Sequence, residues 1–365
     1  DDPLLALQRL ATAWRRHLGA HVVGITGSTG KTSTKDVIAA MVGQQRRTVA
    51  TRGNYNTEIG LPLTILEAPD DTETLVLEMA MRGRGQIAEL VAIAEPEVAV
   101  ITNVGPVHVE LLGSVEAIAA AKAEILDDLP PDGTAVAPVE AGELEPHLER
   151  APKLLRFGPG GDVEAAEAKV VDGVTEALVS TPADAQRFHF PFTESHNLTN
   201  ALAAIAAGVA LGAGLDGMAD RAASIGFSRF RGERLELPGG IVLVNDCYNA
   251  NPVSMRAALD HLATLAAPRR VAVLGEMGEL GPGSAGYHRE VGEHALAQGI
   301  DFVVGVGLPA RDYGPDELVA DPSEAAELLA ARLEPGDAVL VKGSRSAGLE
   351  AVAEQLLPLL GAEDR

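Results

Sequence analysis

Positive charge, cysteine and long apolar runs are all scarce in this chain. Its 365 residues include 29 Lys and Arg against 52 Asp and Glu, for a net charge of −23 at pH 7. Nucleic-acid binding depends on clustered Lys and Arg, so this balance argues against a phosphodiester backbone as a partner. Cys247 is the single cysteine, which excludes an intrachain disulfide and is compatible with a reducing compartment. No apolar run reaches the roughly 20 residues of a membrane span. We therefore expect a cytoplasmic enzyme without a membrane span.

A glycine-rich loop between a strand and a helix is the most informative feature present. The stretch 24–34 reads Gly-Ile-Thr-Gly-Ser-Thr-Gly-Lys-Thr-Ser-Thr and follows a buried run that starts at His21. Apolar residues then recur at helical spacing, so phosphate would lie on a helix N-terminus, held by backbone N–H groups. Lys31 would supply positive charge to the outer phosphates, and the Thr32 hydroxyl would be a ligand for Mg²⁺. Ile25 stands where the strict Walker pattern requires a glycine, and an ordinary turn before a helix is the alternative.

Strand-like and helix-like runs alternate along the first part of the chain. The strand-like runs are 48–51, 74–79 and 98–102, and the helical patterns lie near 86–94 and 114–129. This alternation predicts a parallel sheet with helices on both faces. Between about 133 and 192, short alternating strands separated by Gly, Pro and Asp predict a small antiparallel annex. An Ala-rich helix over 197–211 then returns to the first domain.

A polar segment over 229–234 predicts a domain boundary. We expect a first domain over 1–228, including the annex, and a second over 229–365. In the second domain, apolar runs again alternate with helical patterns, at 241–245, 271–275, 302–305 and 338–341. This pattern predicts a Rossmann-like, doubly wound sheet. The expected fold class is therefore α/β, with a central parallel-sheet domain of the phosphate-loop type followed by a Rossmann-like domain.

Polar residues follow the buried strands of the first domain. In an open parallel sheet, ligands collect beyond the carboxyl ends of the strands. Glu78 ends one strand, where a nucleotide-bound Mg²⁺ would need an anionic oxygen; the alternative is a solvated strand-end glutamate. Asn103 and His108 follow the next strand at the same edge. His108 is a candidate metal ligand or proton carrier, although Mg²⁺ prefers oxygen and a structural histidine fits equally well.

Lys122 stands in the apolar stripe of a predicted helix. The stripe has spacings of three and four residues and is completed by Val115, Ile118, Ile125 and Leu129. Burying an ammonium group without a partner costs several kcal/mol, so we expect its pKa to fall or its charge to be paired or chemically removed. The alternative is that its stem lies along the core while its head reaches solvent.

Further polar residues stand at the start of the Ala-rich helix and after the strands of the second domain. Asn197 and Asn200 share one helix face and could read a base edge or simply cap the helix. Asp246 is placed like the strand-end acids that accept from ribose hydroxyls. Asn251 precedes a proline and could be only a turn residue. The same pattern of a strand followed by polar residues recurs at 274–276 and 342–344.

These segments together resemble the Mur ligases of peptidoglycan synthesis. The resemblance is carried by the phosphate loop, Glu78, the His108 loop, Lys122, the HNLTN helix start and four longer motifs. The motifs are TRGNYNTEIGLPLTIL (51–66), NDCYNANPVSM (245–255), LGEMGELG (274–281) and KGSRS (342–346). They are most similar to the branch of the family that adds D-Ala-D-Ala, and matches extend over nearly the whole chain.

The resemblance implies an ATP-dependent carboxylate–amine ligase that adds D-Ala-D-Ala to UDP-N-acetylmuramoyl-tripeptide. The substrate carboxylate would attack the γ-phosphate to give an acyl phosphate, which the incoming amine then attacks with release of phosphate. ATP and one or two Mg²⁺ ions are the implied cofactors. UDP-muramyl-peptide and D-Ala-D-Ala are the implied partners, and a monomer is expected.

Site roles carry over to the positions that match the family's motifs. The implied catalytic residues are Lys31, Glu78, His108, Lys122 and Arg234. The implied metal ligands are Thr32, Glu78, His108 and Lys122, the last as a carbamylated, carboxylate-like side chain. The implied nucleotide-binding residues are Gly27, Ser28, Thr29, Gly30, Lys31, Thr32, Asn197, Asn200, Arg234, Asp246 and Asn249. Among these, Asn200 would contact adenine, Asp246 the ribose and Arg234 the γ-phosphate. The implied substrate-binding residues are Asn54, Asn56, Thr57, Glu58, Asn251, Lys342 and Ser344.

The family's first domain, which grips the uridine nucleotide, has no counterpart in this sequence. The phosphate loop begins near residue 24, and the chain opens on Asp1 without a methionine or a leader, so we expect a piece of a longer protein. Two alternatives stay open: a Mur-like ligase with a different acceptor, and a non-catalytic nucleotide-binding module. Retention of Lys31, Glu78, His108 and Lys122 argues against the module. A GTPase is disfavoured because the Asn-Lys-x-Asp guanine motif is absent.

Overall fold

The computed structural model describes residues 2–43, 46–107 and 109–361 as an α/β protein, which confirms the predicted fold class. The chain divides into two compact units. The first comprises Asp1–Gly105 and Leu111–Ser228, and the second comprises Pro106–Glu110 and Arg229–Arg365. Among the described helices, none is long and apolar enough to cross a membrane.

The first unit is built on a six-stranded parallel sheet with the order β2-β3-β1-β4-β5-β6. Its strands are β1 (His21–Thr26), β2 (Thr48–Ala50), β3 (Thr74–Glu78), β4 (Val98–Ile101), β5 (Thr134–Pro138) and β6 (Lys153–Phe157). Its helices are α1 (Pro3–Leu18), α2 (Lys31–Val42), α3 (Gly60–Leu66), α4 (Gln86–Ala94), α6 (Val115–Lys122), α7 (Ser195–Ala210) and α8 (Leu215–Ala222), and the short helix α5 (Val109–Leu112) is divided between the two units. In β1, Ile25 pairs with Glu78 on one side and with Val100 on the other. The carboxyl ends of β3, β1 and β4 therefore meet at one edge.

The antiparallel annex is smaller than the range 133–192 predicted for it. Its three strands are β7 (Glu164–Val171), β8 (Val174–Ser180) and β9 (Ala185–Phe190), paired in the order β7-β8-β9. The two strands β5 and β6, which lie in the predicted range, join the parallel sheet instead. Short apolar strands do not reveal from their sequence which neighbour they pair with, because tertiary packing decides it.

Small side chains let helix α7 lie deep in the first unit. Its residues from Ala201 to Gly208 are all buried. They share one core with α2 residues such as Ile38 and with Phe188 and Phe190 of the annex. Alanine loses no side-chain entropy on burial and allows close helix packing, so an Ala-rich helix can be covered on nearly every side.

Helix α6 is shorter than the helix predicted over 114–129. Ser114 caps its start by accepting from the N–H of Ala117 at 3.2 Å. After Lys122 the chain tightens into a 3₁₀ turn over Ala123–Leu126. The apolar stripe continues through that turn, since Ile125 is buried, so the sequence pattern did not reveal where the α-helix ends.

The second unit contains a six-stranded sheet with the order β10-β11-β15-β12-β13-β14. Its strands are β10 (Glu233–Leu237), β11 (Ile241–Asn245), β12 (Arg270–Leu274), β13 (Phe302–Val306), β14 (Glu317–Val319) and β15 (Ala338–Lys342). Its helices are α9 (Pro252–Thr264), α10 (Ser284–Ala297), α11 (Pro322–Arg332) and α12 (Glu350–Leu359). Only the edge strand β10, which overlaps the end of the polar segment 229–234, runs antiparallel within this described sheet. Further 3₁₀ turns lie at Gly142–Arg150 in the first unit and at Pro238–Gly240, Gly281–Gly283, Leu308–Tyr313 and Arg345–Ala347 in the second.

Each face of the second sheet has its own core. Leu243 and Val339 belong to one cluster, while their neighbours Val244 and Leu340 belong to the other. Side chains alternate between faces along a strand, so a sheet buried on both sides has continuous apolar runs. The carboxyl ends of β11, β15 and β12 lie side by side and bring the polar residues that follow them to one edge.

Candidate active site

Two glycines of the phosphate loop are required by space and by backbone conformation. Gly27 has a φ of +151° and Gly30 a φ of +78°. A Cβ atom on Gly27 would lie 1.9 Å from the Thr102 hydroxyl oxygen, and one on Gly30 would lie 2.2 Å from Oδ1 of Asn200. Only glycine therefore fits at either position without a local shift.

Asn103 holds the loop in place. Its backbone carbonyl accepts from the N–H of Ser28 at 3.0 Å, and its Oδ1 accepts from the N–H of Thr29 at 3.0 Å. Its Nδ2 donates to the Thr29 hydroxyl at 2.7 Å. The sequence placed Asn103 at this sheet edge, but it was not among the predicted site residues. The signal that points to it is its position directly beyond β4, the neighbour of β1.

The loop leads into the N-terminus of α2. Lys31 is the first residue of the helix, and its ammonium group donates to the Gly27 carbonyl at 2.8 Å. Within the described part of the chain, no side chain caps this helix start. The first N–H groups of a helix have no intrahelical acceptor, so this terminus is suited to bind an anion.

Glu78 is buried and connected to the helix start. The Thr32 hydroxyl donates to its Oε2 at 2.8 Å, and Nδ2 of Asn56 donates to its Oε1 at 2.9 Å. Its backbone N–H donates to the Thr51 hydroxyl at 2.9 Å. Glu78 is 2% exposed, so the alternative of a solvated strand-end glutamate is wrong. The predicted residues Thr32, Asn56 and Glu78 thus form one hydrogen-bonded cluster, in which Thr32 and Glu78 are buried and Asn56 is half-buried.

Lys122 is buried as its place in the apolar stripe predicted. Its exposure is 2%, so the alternative in which its head reaches solvent is wrong. Desolvation, followed by repulsion from Lys31, holds the pKa of Lys122 well below its usual value. Within residues 2–43, 46–107 and 109–361, no hydrogen bond or salt bridge to its amine is found. The buried amine therefore tends toward its neutral form near the phosphate loop.

The predicted set of metal ligands is only partly described. Thr32 and Glu78 are hydrogen-bonded to each other. Lys122 lies close enough to Lys31 that the charge of Lys31 contributes to lowering the pKa of Lys122. His108 lies outside the described residues. Within the described ranges, no group of three or more His, Cys, Asp or Glu side chains is arranged to hold a metal ion.

The two asparagines of the HNLTN segment share one face of α7, as their spacing predicted. Nδ2 of Asn200 donates to Oδ1 of Asn197 at 3.4 Å, and Nδ2 of Asn197 donates to Glu194 at 3.3 Å. Both asparagines are buried. Asn200 also lies against Gly30, so it contributes to the shape of the phosphate loop.

The predicted substrate segment 54–58 runs from solvent into the Glu78 cluster. Asn54 and Thr57 are exposed, and Glu58 is half-buried. The backbone carbonyl of Asn56 accepts from the N–H of Ala80 at 2.8 Å, which fixes the segment beside the strand end of β3.

A buried ion pair lies at the strand ends of the second unit. Nζ of Lys342 is 2.6 Å from Oδ2 of Asp246 and donates to the Asn249 carbonyl at 3.1 Å. Lys342 is 2% exposed, whereas Asp246 is half-buried. The structure thus brings together Asp246, Asn249 and Lys342, which the sequence assigned to nucleotide and substrate separately.

Asn251 and Arg234, two other predicted site residues of the second unit, lie outside the Asp246–Asn249–Lys342 group. Oδ1 of Asn251 accepts from the N–H of Ser254 at 3.0 Å, and the Ser254 hydroxyl accepts from the N–H of Asn251 at 3.1 Å. This is a capping box at the start of α9, the structural alternative that the sequence left open. Arg234 extends from β10, is largely exposed, and lies 3.8 Å from Glu236.

Comparison with known proteins identifies the family to which this fold and loop belong. Residues 25–208 match the model of the Mur ligase middle domain, and residues 230–345 match that of the Mur ligase glutamate ligase domain. The chain belongs to the Mur ligase family. It is therefore an ATP-dependent ligase that forms an amide bond, within the family that serves peptidoglycan synthesis.

Individual relatives agree with this assignment. The chain is 39% identical to UDP-N-acetylmuramoyl-tripeptide–D-alanyl-D-alanine ligase of Synechocystis sp., over 98% of this chain and 79% of the relative. It superposes on MurF from Acinetobacter baumannii with a TM-score of 0.92 and 31% identity, over 98% of this chain and 81% of that one. It superposes on MurF ligase from Thermotoga maritima in complex with ADP with a TM-score of 0.90 and 33% identity, over 99% of this chain and 85% of that one. The chain thus spans about four fifths of these relatives' lengths.

Proposed function

We propose that this Mur ligase adds D-Ala-D-Ala to UDP-N-acetylmuramoyl-tripeptide through an acyl phosphate. The single observation that carries the ligase chemistry is the Thr32–Glu78 contact, which places a buried carboxylate at the start of an uncapped helix behind the glycine loop. The choice of substrates is supported by the names of relatives at 35–39% identity. In the reaction, the donor carboxylate displaces ADP from the γ-phosphate, and the amine of D-Ala-D-Ala then displaces phosphate from the acyl carbon. The amine loses a proton as the amide forms.

The loop and helix start would bind the phosphates of ATP. The residues proposed for this are Gly27, Ser28, Thr29, Gly30, Lys31 and Thr32. The ammonium group of Lys31 now donates to the Gly27 carbonyl and would turn to the outer phosphates when they are present. Asn103 fixes the loop in advance, so few backbone groups have to be ordered on binding.

The cluster at the start of α2 fits a magnesium ion. Thr32 and Glu78 present a hydroxyl and a carboxylate, the hard oxygen ligands that Mg²⁺ prefers, and both are buried. Asn56 holds the second carboxylate oxygen, which orients Glu78 toward Thr32. A bound ion would neutralise negative charge on the transferring phosphate. His108 stays a proposed further ligand.

Carbamylation would resolve the charge problem at Lys122. A neutral amine is the form that attacks CO₂; the new N–C bond yields a carbamate anion and releases one proton. The lowered pKa of Lys122 favours that neutral form. The product would be a carboxylate-like ligand beside the phosphate loop, and it would reverse the repulsion from Lys31.

The remaining site residues are proposed to contact base, sugar and substrates. Asn200 would contact adenine, Asp246 the ribose and Arg234 the γ-phosphate, with Asn197 and Asn249 as further nucleotide-binding residues. Asn54, Asn56, Thr57 and Glu58 would contact the muramyl-peptide, and Asn251, Lys342 and Ser344 are proposed as further substrate-binding residues. We also propose a domain boundary at 228/229, a cytoplasmic location and a monomeric enzyme.

Phosphate release tests the proposal directly. Release from ATP is measured with UDP-muramyl-tripeptide, with and without D-Ala-D-Ala, and mass spectrometry identifies the product. We expect release that depends on D-Ala-D-Ala and a pentapeptide product. Glu78→Gln should abolish turnover, while Glu67→Gln, an exposed glutamate of the same unit, should not. Release that requires a different amine would show another acceptor, and ATP binding without any turnover would favour the non-catalytic module.

A further inference from the structure

The loop after β12 is anchored from one side by the segment that follows β15. The N–H of Ser344 donates to the Glu276 carbonyl at 2.8 Å, and the Ser344 hydroxyl accepts from the N–H of Gly278 at 2.8 Å. The two chains also approach closely at their glycines. A Cβ atom on Gly343 would lie 3.1 Å from the Cα atom of Gly275.

Two buried rings anchor the same loop from the other side. Nε2 of His288 accepts from the N–H of Met277 at 3.0 Å, while its Nδ1 lies 2.8 Å from the Ser284 carbonyl. The hydroxyl of Tyr313 donates to the Gly275 carbonyl at 2.8 Å, and the two rings lie 4.7 Å apart. His288 is 1% exposed. Every residue from Gly275 to Gly278 therefore has a backbone hydrogen bond that fixes it.

The Glu276 side chain is the exception in this fixed loop. It is half-buried and lies near Tyr313. Burial of the Tyr313 phenol raises its pKa, and the negative charge of the Glu276 carboxylate raises it further. Across the described ranges, no hydrogen bond or salt bridge to its carboxylate is found. The ammonium group of Lys342, at the end of the adjacent strand β15, is directed to Asp246. A rigid loop at the ligand edge of the sheet thus holds one carboxylate whose charge is not compensated.

We propose that Glu276 binds the protonated amino group of the incoming dipeptide and so selects an amine as the acceptor. This inference rests on the proposed ligase function. An alkylammonium group offers three N–H donors and a positive charge, which are what a carboxylate of this kind accepts. Because the backbone is fixed on both sides, binding orders few additional groups. His288 acts as a positioning residue, since it holds Met277 beside Glu276.

Calorimetry with two dipeptides tests this assignment. D-Ala-D-Ala and propionyl-D-alanine, which has the same shape but lacks the amino group, are titrated into the chain with Mg²⁺ and a non-hydrolysable ATP analogue. The unaltered chain should prefer D-Ala-D-Ala, and Glu276→Gln should weaken D-Ala-D-Ala about 10- to 100-fold while leaving propionyl-D-alanine unchanged. Glu293→Gln, on an exposed position of α10, is the matched control and should leave the preference intact.

Each outcome separates this inference from the proposed function. Normal ATP binding with an unchanged preference in Glu276→Gln overturns the role of Glu276 and leaves the ligase proposal standing. Binding of neither dipeptide by a chain that binds ATP also overturns it. Failure of the unaltered chain to bind the ATP analogue counts against the proposed function itself. A Glu276→Gln variant that binds D-Ala-D-Ala normally but loses Mg²⁺ would show that the carboxylate serves a metal instead.

Discussion

Asn200 occupies the space that any side chain at Gly30 would need. Its amide oxygen would lie 2.2 Å from a Cβ atom at position 30, in a backbone with a φ of +78°. The helix that carries Asn200 is therefore packed directly against the loop proposed to hold phosphate. A change at Gly30 must move Asn200, the loop, or both.

Gly30→Ala should lose ATP binding, because the displaced loop can no longer present its N–H groups. Gly19→Ala is a matched control, since Gly19 also has a positive φ, +59°, but nothing lies within 4 Å of its Cβ position. Each substitution should cost roughly 1–2 kcal/mol of stability through backbone strain, and Gly30→Ala carries in addition the cost of displacing Asn200. Titration with an ATP analogue should then separate them. Equal ATP affinity in the two variants would contradict the role of this packing.

Lys122→Met should raise the free energy of unfolding at pH 7 in CO₂-free buffer. The folded-state pKa of Lys122 is lowered, so the unfolded chain binds a proton that the folded chain gives up. The stability that the unaltered chain loses by burying this amine is therefore greatest at low pH, and the loss disappears as pH approaches the ordinary lysine pKa of about 10.4. Between the lowered folded-state pKa and about 10.4, the difference in the free energy of unfolding between Lys122→Met and the unaltered chain should shrink by about 1.4 kcal/mol per pH unit.

Urea unfolding at several values from pH 7 to pH 10 measures this difference. Lys153→Met, at an exposed position of β6, should show no such trend. A constant difference between Lys122→Met and the unaltered chain across that range would be inconsistent with a neutral buried amine. In the ligase assay, Lys122→Met should be inactive whether or not bicarbonate is added.

Asp246→Asn should destabilise the second unit by about 3 kcal/mol, because it leaves the buried ammonium of Lys342 without its counter-ion. The double variant Asp246→Asn with Lys342→Met should recover most of that loss, since it removes the buried charge. Asp260→Asn, which affects a half-exposed contact with His294, should cost less than about 1 kcal/mol. Denaturant unfolding measures the free energy of unfolding of each variant. If the double variant lost as much stability as the Asp246→Asn and Lys342→Met variants together, direct coupling between the two side chains would be contradicted.

His288→Phe should keep a ring against Tyr313 but remove both hydrogen bonds of the imidazole. The 275–278 backbone would then hold Glu276 less firmly. We expect the KM for D-Ala-D-Ala to rise several-fold while the KM for ATP stays the same. Steady-state kinetics with each substrate varied in turn measure this split. A rise in both KM values together would indicate a general loss of structure instead.

Local sequence patterns predicted strand ends and burial well. Glu78 and Lys122 were expected where a buried strand ends and where an apolar stripe runs, and both are buried. Such signals extend over a few residues and follow from helix and strand periodicity.

Long-range partners were not predictable in the same way. The amide of Asn103 holds Thr29 across 74 positions of the chain, and Lys342 reaches Asp246 across 96. Neither contact has a local pattern, since each depends on which strands become neighbours in the sheet. The membership of β5 in the parallel sheet escaped prediction for the same reason.

Helix α1 carries the single tryptophan of the chain, Trp14, whose indole N–H donates to the Ala68 carbonyl at 3.0 Å. Indole emission therefore reports on the first unit alone. Tyr248, Tyr287 and Tyr313 all lie in the second unit, and Tyr55 alone of the four tyrosines lies in the first. Trp14 is thus an intrinsic optical probe, by which the melting of the first unit can be followed without any added label.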